Sequence, residues 1–261
     1  MRGNRFVHYL DTTTADWTDS PTGSGVRRLR LSYDPESGAF SQLLSTPAGF
    51  AVPEKPHFAD SDHEVFLVAG EFAFDLVHPL QEGDYLYRPV GAVYGDGEHS
   101  ETGGIQLISF GREAVKVHLE DPPTPWPGEY LIDQTWTTRK TRPCFVRSTD
   151  LPWRPSSLGY GIEEKRLRGV PGEPSVTDGP SNHSPWAADA AFLLRIPAGY
   201  RGPFPLWSGF LIELFVLSGE ATIDEERWQR GGYTFGRPIG ESTVTQDLVC
   251  YGRTFEELAT Q

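Results

Sequence analysis

The sequence predicts an all-β protein built from two related domains in tandem, and three observations carry that prediction. Stretches of strand length that alternate in polarity or are densely apolar recur along the chain, whereas helical periodicity is missing. The 261 residues include 28 glycines and 22 prolines, which supply turns at short intervals, and 38% are hydrophobic, too much core-forming material for a disordered chain. A pattern in the first half returns in the second at a constant offset of 149 residues.

In chain order the strand candidates are 28–32, 40–45, 64–69, 71–77, 104–110, 190–196 and 213–217. Between the halves, residues 121–128 hold four prolines in eight positions, which cannot join an interior ladder and favour an extended connection. The expected organisation is therefore a first domain over 1–122, a linker over 123–142 and a second domain over 143–261. One helix is expected at the end, where Thr254, Phe255, Glu256 and Glu257 fit a capping box.

The repeat is specific. Glu64-Val-Phe-Leu-Val-Ala-Gly70-Glu71 returns as Glu213-Leu-Phe-Val-Leu-Ser-Gly219-Glu220, and Gly83, Pro89 and Gly91 return as Gly232, Pro238 and Gly240. Upstream, Pro47-Ala-Gly49-Phe50 answers Pro197-Ala-Gly199-Tyr200, and Arg28-Leu-Arg30 answers Arg166-Leu-Arg168. Residues common to both copies, Glu64/Glu213, Glu71/Glu220 and Arg88/Arg237, are expected to serve the shared framework as ion pairs or rim charges.

The series Gly49, His57, His63, Gly70, followed by Gly83-x5-Pro89-x-Gly91, resembles the two motifs of the cupin superfamily, G-x5-H-x-H-x3–4-E-x6-G and G-x5-P-x-G-x2-H-x3-N. Both halves match, so the chain resembles a bicupin, and its Trp-x-Pro and Tyr-Arg-Pro segments are similar to cupins of the ChrR anti-sigma-factor type. The resemblance implies two jelly-roll β-barrels. In the family, two His, a Glu and a third His converge on a divalent metal inside the barrel. Carried over residue by residue, His57 takes the first His position and Ala59 the second, His63 takes the Glu position, and Tyr94 takes the last His position. His99, five residues further on, is a candidate replacement.

The resemblance thus implies a mononuclear metal, Fe, Mn, Ni, Cu or Zn, in the N-terminal barrel, ligated by His57, His63 and His99. His57, His63 and Tyr94 form the expected catalytic set, with Tyr94 as ligand or proton donor. A register error of one residue would instead turn Glu64 inward. The matching positions of the second half, Leu206, Ser208, Ile212 and Thr243, offer no ligand set, so no metal is expected there. His57, His63, Tyr94 and His99 occur only in the first copy, and that asymmetry points to a site. The competing readings are solvated loop histidines at 57 and 63, a core tyrosine at 94 and a mobile-loop residue at 99. His78 reads as a turn residue; His8, His118 and His183 have no motif support.

Composition narrows the partners. A formal charge of −13 argues against nucleic acid and against an anionic membrane surface. Two cysteines, Cys144 and Cys250, cannot build a disulfide framework or a multi-cysteine zinc site. The N-terminus lacks the apolar run of a signal peptide, and the longest apolar segment, 210–217, is too short to cross a bilayer and holds Glu213. A soluble cytoplasmic protein is expected, homodimeric if jelly-roll edges pair. The leading functional expectation is a metal-dependent, dioxygenase-like enzyme acting on a small organic molecule. Its alternatives are a metal-free binding or sensing module, and a metal-independent isomerase or cyclase using His and Tyr as acid and base. An anti-sigma role lacks the His and Cys cluster it would need ahead of the barrel.

Overall fold

Strand segments that alternate between an apolar interior and a second buried face organise the structure, a computed structural model describing residues 6–21, 24–75, 79–124, 130–131, 144–169, 190–207, 210–236 and 240–256. Among these residues the only helical element is a single 3-10 turn at Ser148–Asp150, and no helix is long and apolar enough to cross a membrane. The predicted all-β class is observed. The expectations for residues 78, 183, 208 and 237 concern positions outside the described residues.

Two units result. The first, from Asp16 to Thr149, has a sheet in the order Cys144–Arg147, Asp84–Arg88, His63–Ala73, Gly104–Phe110, Phe40–Thr46, Arg27–Tyr33 and Thr18–Asp19. Phe50–Val52, Glu98–Ser100 and Pro79–Gln81 attach to it, and His57–Ala59 pairs separately with Lys116–His118. Its core gathers Val65, Leu67, Phe72, Phe74, Leu86, Tyr94 and Ile108. The second unit runs Val7–Asp11, Gly232–Gly236, Phe210–Ile223, Glu241–Glu256, Ala190–Ile196, Glu163–Arg168 and Arg154–Pro155. Its core is apolar, with Phe192, Leu194, Ile212, Leu214 and Trp228 among its members.

The units depart from the boundaries expected at 122 and 143. Val7–Asp11 pairs with Gly232–Gly236 in the second unit, Leu10 opposite Tyr233, and Tyr9 packs on Trp228 at 5.2 Å. Cys144–Arg147 pairs with Asp84–Arg88 in the first unit, Phe145 opposite Leu86. Short strands carry no mark of which sheet edge they complete, and both edges were unassigned in the sequence pattern. Tyr130–Leu131, inside the expected linker, pairs with Ala92–Val93.

The glycines of the repeat explain a second departure. Residues 64–69 and 71–77 read as two strands, but His63–Ala73 is one strand passing through Gly70, at φ +71°, where a side chain would meet the Gly103 carbonyl. Gly219 takes the same role at φ +89° against the Asp247 carbonyl. Gly219 lies within a register shift between Ser218 and Glu220, whereas Gly70 stays in register opposite Gly104 with the shift falling at Val68, so the repeated glycine lies inside a strand next to a bulge rather than in a turn. The expected terminal helix is also replaced, as far as described: Glu241–Glu256 continues as strand, Thr254 lying opposite both Ala190 and Ile212. With partners on both sides and Thr254 and Phe255 buried, ladder pairing and burial overrule the local capping signal.

Candidate functional site in the N-terminal barrel

His57 is set by backbone before side chain. Its N–H donates to the Tyr94 carbonyl and Tyr94 N–H donates back, both at 2.8 Å. This places the His57 and Tyr94 rings together, centroids 4.3 Å apart. The next residue, Gly95, sits at φ +83°, and a Cβ there would lie 3.0 Å from His57 Nδ1. His57 is fully buried. Its Nδ1 lies 2.9 Å from the Lys55 carbonyl, which can only accept, so Nδ1 carries the proton and Nε2 the lone pair. That buried Nε2 has no hydrogen-bond partner among the described residues. Burial, followed by the nearby Lys116 charge, pushes the imidazole down to about 4, so it is neutral at pH 7.

His63 begins the strand His63–Ala73 and lies opposite Arg88, two residues before the Val65–Leu86 pair of the core. Strand alternation therefore turns His63 and Arg88 into the barrel. Glu64, the alternative inward residue, lies on the other face, where it accepts from the Tyr85 hydroxyl at 2.7 Å. The His63 ring stacks on Phe110 at 4.3 Å and reaches Tyr94 at 5.6 Å. Arg88 Nη1 approaches His63 Nδ1 at 3.4 Å. A guanidinium only donates, so Nδ1 accepts and the proton stands on Nε2. This Nε2 is also buried without a partner among the described residues. Burial, then Arg88, Lys116 and His57, holds His63 well below the usual imidazole range.

The two rings thus share Tyr94 as neighbour and expose opposite functions: His57 Nε2 accepts, His63 Nε2–H donates. Arg88, expected among framework ion pairs or rim charges, is not at the rim but interior and 1% exposed, its guanidinium 3.8 Å from the Tyr94 ring centroid and 4.1 Å from that of Phe74. Its repeat partner Arg237 is outside the described residues.

His99 does not join them. It stands opposite Ala51 and Ala73, on the face of Glu98–Ser100 turned away from the core, its Nδ1 3.1 Å from the Gly97 carbonyl. Glu98, opposite the core-packed Val52, takes the inward face. Burial raises its carboxyl above the ordinary value, a rise to which Glu54 adds and which Lys116 and Arg88 oppose. The expected ligand trio His57, His63 and His99 therefore does not fit a metal: one member faces elsewhere, and a second keeps its proton on Nε2 beside a guanidinium.

A different trio does come together. Glu54 Oε1 lies 3.5 Å from His57 Nδ1 and 3.8 Å from His118 Nε2, and all three donor atoms fall within 4.8 Å of one another, close enough to share an ion. Lys116 Nζ stands 3.5 Å from the same Glu54 oxygen. His118 is opposite His57 in the strand pair, centroids 5.3 Å apart. The sequence signal for this face was the alternation Lys116, Val117, His118; Arg88 had none, because all of Asp84–Arg88 is buried and no alternation shows. In the second unit, the corresponding Ile212 belongs to the apolar core, Leu206 packs against it, and Thr243 lies opposite Arg201.

Two barrels of antiparallel strands with an inward polar cluster in the first define a two-domain cupin fold. Residues 7–112 match the ChrR cupin-like domain family. Similar solved structures include a putative dioxygenase from Nostoc punctiforme, 15% identical with TM-score 0.68, covering 99% of this chain and 85% of that one. A putative glyoxylate-induced protein from Pseudomonas aeruginosa is 14% identical with TM-score 0.59, over 100% and 93%. A deletion mutant of Bacillus subtilis oxalate decarboxylase is 14% identical with TM-score 0.56, over 98% and 78%. At these identities the likeness is one of fold. No curated protein matches.

Proposed function

We propose that the N-terminal barrel is an enzyme site for a small organic molecule and that His57 and His63 move a proton on it. The observation that supports this is the complementary pair of buried, unpartnered Nε2 atoms, one a base and one a hydrogen-bond donor. A carbonyl compound between them would lose an α-proton to His57 Nε2; the C–H bond breaks, the N–H bond forms, and the electron pair moves to the carbonyl oxygen. That oxygen would accept from His63 Nε2–H, a neutral imidazole acting as electrophile. Return of the proton to another carbon or oxygen completes an isomerisation. Tyr94 packs against both rings and positions them.

The test is α-proton exchange of hydroxyacetone in deuterated buffer, followed by proton NMR with chelator-treated protein. Exchange above the buffer rate, falling about 10²–10⁴-fold in His57→Gln, is expected. Exchange at the buffer rate, or unchanged in that variant, would sink the reading.

A second reading rests on Glu54, His57 and His118. Two imidazoles and a carboxylate form the donor set of many O2-activating non-haem iron sites, and a structural neighbour bears the description putative dioxygenase. A divalent metal held there would take the place of the His57 Nδ1 proton and would supply Lewis-acid or oxygen chemistry on the side of the buried His57 ring where the half-exposed His118 stands. Metal content of tag-free protein that falls to background in His118→Ala, together with oxygen uptake on β-diketones, would favour it. Exchange that survives His118→Ala and chelation favours the first reading.

A further inference from the structure

This inference goes beyond the proton-transfer reading and does not depend on it. We propose that Arg28, Arg30 and Gln42, on the inner face of the N-terminal barrel, bind an oxyanion, the carboxylate or phosphate group of a small molecule.

Strand register places the three side chains. Arg28 stands opposite Leu44 and Arg30 opposite Gln42, and Gln42 in turn stands opposite Ile108. Val26, Leu44 and Ile108 pack in the barrel core, so alternation turns Arg28, Arg30 and Gln42 to that same face. The second unit repeats the ladder. Glu164 stands opposite Leu194 and Arg166 opposite Phe192, and a register shift follows in both units, after Arg30 and after Arg166. Leu194 and Phe192 are the repeat partners of Leu44 and Gln42 in the alignment that matches Pro47-Ala-Gly49 with Pro197-Ala-Gly199. Val26 and its counterpart Ile162 each lie in the core of their unit. By register, then, Arg30 corresponds to Arg166 and Arg28 to Glu164, two residues away from the match between the Arg-Leu-Arg segments.

The charge differs between the copies. In the second unit the buried Glu164 carboxylate accepts from Arg166 Nε at 2.8 Å, next to the core ring of Phe192. In the first, an arginine stands in place of the acid and an amide in place of the ring. Neither Arg28 nor Arg30 has an acidic partner among the described residues. Asp19, in the neighbouring strand, stands opposite Arg27 and so on the other face. The Arg30 guanidinium lies over the Phe40 ring at 3.9 Å, and burial, then the Arg28 charge, pulls it below its ordinary range, with Tyr33 opposing. Two guanidinium groups on one strand face repel, and each carries a fork of donors that fits carboxylate or phosphate oxygens. An oxyanion between them relieves the repulsion that Glu164 relieves in the other copy. Gln42 Oε1 is buried with no partner among the described residues, and an amide that turns over presents its NH2 to the same anion. Arg30 is exposed, so the anion enters from solvent.

The test is separate titration of inorganic phosphate and acetate into the full-length protein at constant ionic strength, following arginine Nε–Hε signals by proton–nitrogen NMR. At least one probe should shift two arginine signals saturably, with a dissociation constant of about 10 mM or tighter. Arg30→Gln, at an exposed position, should weaken that binding at least about tenfold, and Gln42→Leu several-fold. Arg28→Glu, which restores the charge pattern of the second unit, should abolish it; should that variant fail to fold, Arg28→Gln is expected to weaken binding as Arg30→Gln does.

Saturation by phosphate alone assigns the site to phosphate groups, by acetate alone to carboxylates, and by both to oxyanions of either kind. No saturation by either probe up to about 100 mM overturns the inference, as does binding that the arginine variants leave unchanged, which would be an adventitious ion only. Neither probe requires turnover, so this result is read apart from the hydroxyacetone exchange.

Discussion

Gly95→Ala tests the placement of His57 without touching a chemical group. Gly95 lies at φ +83°, and the added Cβ would stand 3.0 Å from His57 Nδ1 and 3.1 Å from Cε1. Gly49→Ala is the control: its φ of +74° carries the same backbone penalty, yet nothing lies within 4 Å of its Cβ. Each variant should lose about 1–2 kcal/mol from the left-handed backbone alone. Gly95→Ala should lose up to about 1 kcal/mol more, because relieving the contact pushes the ring from the Lys55 carbonyl it holds at 2.9 Å. Thermal and urea unfolding read the stability difference, and hydroxyacetone exchange reads the function. A shift of a few tenths of an ångström in the base should slow exchange several-fold in Gly95→Ala and leave Gly49→Ala near wild type, since about 1 Å of misplacement is worth roughly 100-fold. Equal losses in both variants, in stability and in exchange, would refute the reasoning that Gly95 is small to make room for the His57 ring.

The tautomers are directly visible: long-range proton–nitrogen NMR should show His57 protonated at Nδ1 and His63 at Nε2 at neutral pH, and the same tautomer in both would contradict the donor–acceptor pair. His57 titrates near 4 in the folded chain against 6.5 ordinarily, so the unfolded chain binds the extra proton first and stability falls as pH drops from 6.5 toward 4. The slope from this residue approaches about 1.4 kcal/mol per pH unit, and His57→Phe should flatten acid-titrated urea unfolding by that amount. Burial raises the Cys250 thiol to about 12, so Ellman's reagent at pH 8 should modify Cys144 in the native protein and reach Cys250 only on unfolding. Deleting residues 1–12 should speed hydrogen exchange of the amides at 232–236, which lose the strand Val7–Asp11 and the contact of Thr12 with the Gly231 carbonyl, while the amides at 27–33 stay protected.

The duplication made the fold readable and hid part of the site. Glu64 and Glu213 recur because each accepts from a buried tyrosine, Tyr85 and Tyr233, at 2.7 Å; in the second unit Arg253 completes the group as a buried ion pair. Recurrence pointed to framework ion pairs or rim charges; Glu213 is such an ion pair, while Glu64 is buried and accepts from a tyrosine. At Arg88 recurrence gave the residue type but not its place, because the barrel face it occupies follows from its pairing with His63 rather than from its neighbours in sequence. His57 and His63 were legible as a pair because they occur in one copy only, and alternation with Val65 and Leu67 turned His63 inward. His99 was misjudged because a strand of three residues reveals no alternation, and its inward position belongs to Glu98. His118 is 61 positions from His57 in the chain, and only the ladder between His57–Ala59 and Lys116–His118 brings them side by side. Contacts of that kind depend on which strands pair, a property of the closed sheet as a whole. A motif with two of its four ligand positions replaced leaves an interior of different character: Ala59 and Tyr94 offer no imidazole, and a buried guanidinium, Arg88, lies against the Tyr94 ring.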